Sequence, residues 1–328
     1  MHPATLQSLT THNCVCVRVC VCVCVCVCVC VSPAEEDQND SYSRLLLQYF
    51  LAEGVVSGHQ LYLASARDDP DDMIQTELAS SSRFGHCYDL SKRMDTQMLQ
   101  AVQRHTFYPP QEKTDEQTSS LGPYAGLLKS IQTVIHREGF DGSGSEGKVR
   151  NVLRLGLHSL GSALWGDDVC FSESPASGHA LTTFLYALRA LLRSSLSVAM
   201  VTVPAHLIQN KAVLGRVVKL SDAAVALESF SSSERQTNPL YSDYHGLLHI
   251  RQVPHLNCLM CEAPDNKDLA FKLRRKQFSI EVRNTTVYFV TLPPDDVCVC
   301  VCVCVCVCVF YCLGACEGDR CEYLVTGC

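Results

Sequence analysis

The residues best spaced for chemistry are Gly142-Ser-Gly-Ser-Glu-Gly147-Lys148-Val149, which match G-x-x-x-x-G-K as far as the lysine. Such a loop binds phosphate when it leaves a strand and opens a helix, whose first amides and dipole then face the anion. Here it follows a helical pattern and precedes a strand-like one, and Val149 has no hydroxyl for Mg²⁺. It therefore reads as a solvated Gly/Ser loop. The place where a phosphate loop belongs is residues 35–44, EEDQNDSYSR, just ahead of a helix. That stretch has no glycine, and Glu35, Glu36, Asp37 and Asp40 would repel a triphosphate. A working nucleotide site also needs a carboxylate at the end of a later buried strand to hold the metal. The strand expected at 151–157 ends in His158-Ser159-Leu160, and Asp167 and Asp168 follow only after Trp165-Gly166, in an expected loop. Both halves of ATPase chemistry read as degenerate, so no catalytic residue is assigned.

Two other clusters carry reactive types. His245, His249, His255, Cys258 and Cys261 include one C-x-x-C, but no second pair stands at zinc-finger spacing. HGLLH also lacks the glutamate of H-E-x-x-H, so no metal is expected. Lys272, Arg274, Arg275 and Lys276 form the one compact basic run of a chain with net charge −7. That run is either a solvated turn or a contact to RNA phosphates.

The elements that would position these residues can be read from hydrophobic period. Leu45, Tyr49 and Ala52, flanked by Leu46 and Phe50, share a helical face, and Gly54 reads as its stop. QLYLA (60–64) reads as a strand. No clean period marks 83–110, and 111–120 is charged and polar. Residues 121–139 form a helix with Pro123 in its first turn and a stripe of Leu127, Leu128, Ile131, Val134 and Ile135. NVLRLGL (151–157) and SVAMVTV (197–203) are apolar runs of the kind found in parallel sheets. Between them lies the strongest helix, 179–193. A further helix is expected from Pro204 to about Val218, with strands at 223–227 and 247–253 and a hairpin or long strand at 269–282. Helices alternating with buried strands predict an α/β domain with a mostly parallel sheet flanked by helices.

Two tracts stand outside this pattern. Residues 14–31 and 297–309 alternate Val and Cys almost without interruption and hold 14 of the 22 cysteines. Four more cysteines lie after Phe310, leaving only Cys87, Cys170, Cys258 and Cys261 for the remainder. A disulfide scaffold would spread its cysteines through the fold. A TG dinucleotide repeat read in frame encodes Val-Cys indefinitely, so both tracts read as translated repeats rather than designed structure. Arg18 interrupts the first, and its flanks have neither a basic leader nor a cleavage site, so no membrane segment is expected. The remaining composition is that of a reduced, intracellular protein.

Long irregular stretches resemble a known family. They are residues 35–59 (EEDQNDSYSRLLLQYFLAEGVVSGH), 80–94 (SSSRFGHCYDLSKRM), 160–168 (LGSALWGDD), 183–197 (TFLYALRALLRSSLS), 206–212 (HLIQNKA), 220–230 (LSDAAVALESF), 234–254 (ERQTNPLYSDYHGLLHIRQVP) and 267–281 (KDLAFKLRRKQFSIE). They are similar to the Elongator complex protein 4 family, accessory subunits of the eukaryotic Elongator complex. The resemblance implies a RecA-like ATPase fold with degenerate nucleotide motifs, placed in a heterohexameric ring with Elongator subunits 5 and 6. The ring binds tRNA and serves a catalytic subcomplex that modifies wobble uridines at carbon 5, in cytoplasm and nucleus. This chain would then be non-catalytic, without a cofactor of its own and with any ATP at ring interfaces. The basic run Lys272, Arg274, Arg275 and Lys276 is the candidate tRNA contact. The alternatives are an active ATPase and a Cys/His metal-binding protein. The expected division is residues 1–34 outside the family, 35–285 as a RecA-like domain lacking its first strand, and 286–328 as a second non-family tract and tail.

Overall fold

A computed structural model describes residues 25–30, 41–67, 69, 73, 77–82, 85–89, 94–109, 121–143, 151–167, 169–170, 178–230, 242–252, 269–274 and 278–282. In chain order the strands are β1 (Val25–Cys30), β2 (Gln60–Ala64), β3 (Glu77–Ser82), β4 (Gly85–Asp89), β5 (Arg104–Phe107), β6 (Leu153–Leu157), β7 (Ser197–Pro204), β8 (Ala223–Ser229), β9 (Gly246–Gln252), β10 (Leu269–Leu273) and β11 (Phe278–Val282). The helices are α1 (Ser41–Val56), α2 (Thr96–Ala101), α3 (Ala125–Arg137), α4 (His179–Arg193) and α5 (Lys211–Leu220). Nine strands form one sheet in the order β11-β10-β9-β8-β1-β7-β6-β2-β5. From β8 to β5 all neighbours are parallel, and β9, β10 and β11 extend the β8 side as an antiparallel meander. The expected α/β class with a mostly parallel, helix-flanked sheet is what the chain forms.

Period-two alternation divides this sheet between two cores. Leu61, Leu63, Val198, Met200, Val225 and Leu227 join the side chains of α1. Their neighbours along the strands, Tyr62, Leu153, Leu155, Leu157, Ala199 and Val201, pack beneath α3, α4 and α5. The result is three layers, helix on sheet on helix, as parallel strands buried on both faces require.

Three sequence expectations change. The central strand is drawn from the first Val-Cys tract: Val25–Cys30 lies between β7 and β8, with Val27 opposite Val201 and Ala224. The place thought to lack a first strand is filled. Its backbone pairs with parallel strands on both sides, and strict alternation with a β-branched residue at every second position suits the period of a strand. Gly54 does not stop α1, which runs on to Val56. A Cβ at Gly54 would lie 2.6 Å from Leu61 Cδ2 and 2.8 Å from Arg154 Cδ, and one at Gly156 would lie 3.0 Å from Leu51 Cδ2. These two glycines let helix and sheet approach closely. The stop is Gly58 at φ +66°, with Gly58 N–H donating to Val55 O at 3.0 Å and His59 N–H to Gly54 O at 2.8 Å, a Schellman closure. Third, Pro204 ends β7 and opens no helix. Asn210 caps α5 instead, its side chain accepting from Ala212 N–H at 2.9 Å, as N-cap chemistry favours.

The region without clear period, 83–110, contributes part of the β3–β4 hairpin together with α2 and β5. Residues 269–282 resolve as the β10–β11 hairpin, with Leu273 opposite Phe278. Among the described residues no helix is long and apolar enough to cross a membrane.

Candidate functional site

In an open parallel sheet, ligands bind beyond the carboxyl ends of the strands, at the point where strand order reverses. That point here is β1, which has β7 on one side and β8 on the other. The β1–α1 connection, with Glu35, Glu36, Asp37 and Asp40, lies outside the described residues. The Gly/Ser loop is elsewhere. In sequence it falls between α3 and β6, so it does not lead from a strand into a helix as a phosphate cradle does. Its start is a closed turn in which Asp141 Oδ1 accepts from Ser143 N–H at 2.9 Å and Asp141 Oδ2 lies 2.9 Å from His136 Nδ1. Ser143, then His136, hold the Asp141 carboxyl below the usual carboxylate range. Residues 144–150, including Gly147, Lys148 and Val149, lie outside the described residues.

Beyond the ends of β6, β2 and β7 the described side chains form a buried network. His158 N–H donates to Ala64 O at 2.8 Å, and its Nδ1 lies 3.3 Å from Ser65 Oγ. Ser159 takes a left-handed backbone at φ +54°, and its N–H donates to Thr202 Oγ1 at 2.7 Å. The chain then turns through Gly161 and a short 3-10 turn, Ala163–Trp165, where Trp165 Nε1–H donates to His158 O at 3.1 Å. Tyr124 OH donates to Asp167 Oδ2 at 2.9 Å and accepts from Gly161 N–H at 3.0 Å. Asp167 Oδ1 also accepts from Val169 N–H at 3.3 Å, and the Cys170 thiol donates to Gly161 O at 2.9 Å.

This network uses the chemistry that a metal or nucleotide would need. Asp167 is buried and bonded to a tyrosine and a backbone amide. Burial first, and Asp167 second, push the Tyr124 hydroxyl well above its ordinary pKa. The same two causes raise the Cys170 thiol to about 11, so it is no nucleophile at neutral pH. Removing the hydroxyl, Tyr124→Phe, takes the acceptor from Gly161 N–H and one donor from Asp167 Oδ2. A loss of about 1–3 kcal/mol in chemical denaturation is expected.

The other sequence candidates are scattered. His245 Nδ1 accepts from Leu273 N–H at 3.2 Å, and His249 Nε2 lies 2.9 Å from Glu228 Oε2, so both rings bind neighbouring strands. His255, Cys258 and Cys261 lie outside the described residues, among which no cluster of three metal-ligating side chains occurs. Of the basic run, Lys272 places Nζ 4.3 Å above the Tyr244 ring and Arg274 is exposed. Arg275 and Lys276, between β10 and β11 in sequence, lie outside the described residues. The sequence reading missed a more extended feature. Helices α3, α4 and α5, which cover one face of the sheet, contain no Asp or Glu. Their cations are spaced one or two turns apart, so no run shows in the sequence.

Sheet order defines an α/β protein with a mostly parallel, helix-flanked sheet, whose described strand ends hold structural hydrogen bonds and no described phosphate or metal ligands. The chain belongs to the PAXNEB protein family, which it matches over residues 29–78 and 75–296. The match begins inside β1 and ends where the second Val-Cys tract starts. Elongator complex protein 4 of Danio rerio is 55% identical over 307 residues, covering 80% of this chain and 76% of that protein. The Homo sapiens protein of that name is 47% identical over 309 residues, covering 80% and 71%. Its Xenopus laevis counterpart is 46% identical over 311 residues, covering 80% and 74%.

Proposed function

We propose that this chain is a non-catalytic subunit of an Elongator complex. It assembles with subunits 5 and 6 into a RecA-like heterohexameric ring, in cytoplasm and nucleus, that binds tRNA for the catalytic subcomplex modifying wobble uridines. The observation that carries this reading is the 55% identity to Elongator complex protein 4 over 80% of the chain. Identity at that level preserves surfaces as well as a core. The central order β8-β1-β7-β6-β2, with the helix α1 following the switch-point strand, supports the RecA-like assignment. The strand ends support the accessory role: His158 stands where a metal-holding carboxylate is needed, and Asp167 is bonded internally. At the described strand ends, His158 and Asp167 are engaged by protein groups and offer no ready ligand for a nucleotide's metal.

Co-expression with the two partner subunits tests the reading. The chain is expected to elute in a heterohexamer, and that assembly to bind tRNA. Changing Lys272, Arg274, Arg275 and Lys276 to Ala is expected to weaken tRNA binding and lower its salt dependence by about one unit of slope per lost phosphate contact. A chain that elutes alone in the presence of both partners overturns the ring; unchanged affinity removes the run from the RNA surface.

A further inference from the structure

The three helices on one face of the sheet carry a charge distribution that the rest of the chain does not. The whole sequence holds 34 acidic against 27 basic residues, yet α3, α4 and α5 hold seven Lys or Arg and no acid. The helices lie side by side and run in one direction. At their starts, Tyr124 meets Phe184 with ring centroids 5.3 Å apart, and a Cβ on Gly178 would lie 2.7 Å from Val213. At their ends, Leu196 N–H donates to Phe140 O at 2.8 Å, and Arg189 reaches Asp222 Oδ1 at 2.7 Å. Their outer sides therefore form one surface.

Neighbouring acids neutralise part of it. Arg137 pairs with Glu138 at 2.9 Å and Arg189 with Asp222, while Arg193 reaches the same Asp222 only at 3.8 Å. Lys129, Lys211, Arg216 and Lys219 are exposed and have no carboxylate within ion-pair distance among the described residues. Helix dipoles explain cations in a last turn, as for Arg137, Arg193 and Lys219. They do not explain Lys211, which opens α5 at its positive end, nor Lys129 and Arg216 in mid-helix. Between these cations the surface is low, with Ala190, Ala212 and Gly215 exposed, and Tyr186 stands out at 68% exposure.

We propose that the outer surface of α3, α4 and α5 binds the phosphodiester backbone of a nucleic acid. Protein–protein interfaces are depleted in lysine and centred on apolar anchors. Here three of the five weakly paired or unpaired cations are lysines, and small residues fill the centre. Dispersed Lys and Arg with an exposed aromatic suit phosphate contact and base stacking. The inference deepens the tRNA-binding reading by naming a second surface, separate from the Lys272 run.

The test is fluorescence anisotropy with the full chain, using a folded hairpin RNA, a DNA duplex and poly-glutamate as probes. A variant carrying Lys129→Gln, Arg193→Gln, Lys211→Gln, Arg216→Gln and Lys219→Gln is expected to bind nucleic acid at least about 30-fold more weakly and to lose roughly 3–4 units of salt slope. Circular dichroism checks its fold, and Lys129→Arg, Lys211→Arg and Lys219→Arg together should retain binding. Preference for RNA or for DNA identifies the source of the phosphates and upholds the proposal either way. Wild-type affinity in the neutralised variant overturns it, even if the Lys272, Arg274, Arg275 and Lys276 alanine variant loses binding and so sustains the earlier reading. Loss in the neutralised variant alone upholds this surface and removes that run. Binding of poly-glutamate but neither nucleic acid assigns the face to an acidic polypeptide and overturns the proposal.

Discussion

Val27→Pro is expected to destroy the cooperative unfolding of this protein or to lower its stability by at least about 3 kcal/mol. Val27 lies in mid-strand between two parallel neighbours, opposite Val201 on one side and Ala224 on the other. Proline there removes a ladder donor and places its ring against an adjacent strand, which is why it is confined to edge strands. The damage is central, because β1 joins β7, β6, β2 and β5 to β8 and the meander beyond it. Val27→Ala keeps the backbone N–H and with it the ladder, so it should fall well short of the proline variant. Urea denaturation followed by far-UV circular dichroism measures both. A proline variant with the wild-type midpoint would take the Val-Cys tract out of the sheet.

Sequence pattern located most of the scaffold because its signals are local. Leu181, Phe184, Leu185, Leu188 and Leu192 mark one side of α4 at helical spacing, and all five are buried. The strand at 151–157 and the one at 197–203 appear as β6 and β7 because strands covered on both faces read as continuous apolar runs. The losses have physical causes too. A dipeptide repeat has the same period as a strand, so a shift of two residues leaves it unchanged. Nothing within the tract marks 25–30 as the paired segment; β7 and β8 select it. Gly54 has the residue type of a helix stop, but its reason is the proximity of Leu61 and Arg154, residues distant in sequence. At the candidate site, the missing carboxylate after β6 was legible, since His158-Ser159-Leu160 stands in the chain. The engagement of Asp167 by Tyr124 was not, because 43 residues separate the partners. The basic helical face was hidden because its cations are scattered over three helices. The absence of Asp and Glu from those helices was the available signal.

Arg154 carries the second large effect. It sits on β6 beneath α1 with no solvent exposure, a placement that continuous apolar patterning does not anticipate. Its Nε–H donates to His59 Nδ1 at 3.0 Å, one Nη–H donates to Phe50 O at 2.8 Å, and its guanidinium lies 5.0 Å from the Phe50 ring centroid. The strand, the body of α1 and the residue just past its end are thus tied by one side chain. Arg154→Ala is expected to cost about 3–5 kcal/mol, since it opens a cavity and leaves the carbonyl and the imidazole without this donor. Arg154→Lys should recover little, because two separately directed N–H groups are replaced by one ammonium. The arrangement also sets a pH dependence. Burial first, and the Arg154 charge second, lower His59 from 6.5 to about 4. Between those values the unfolded chain binds the proton and the folded one does not. Stability is therefore full above pH 6.5 and falls as pH drops towards 4, by roughly 3 kcal/mol in all. His59→Gln keeps an acceptor for Arg154 but cannot titrate, so its stability should fall less than wild type over this window. Parallel denaturation series at pH 7 and pH 4.5 decide the matter: equal losses in wild type and His59→Gln would remove His59 as the origin of the slope.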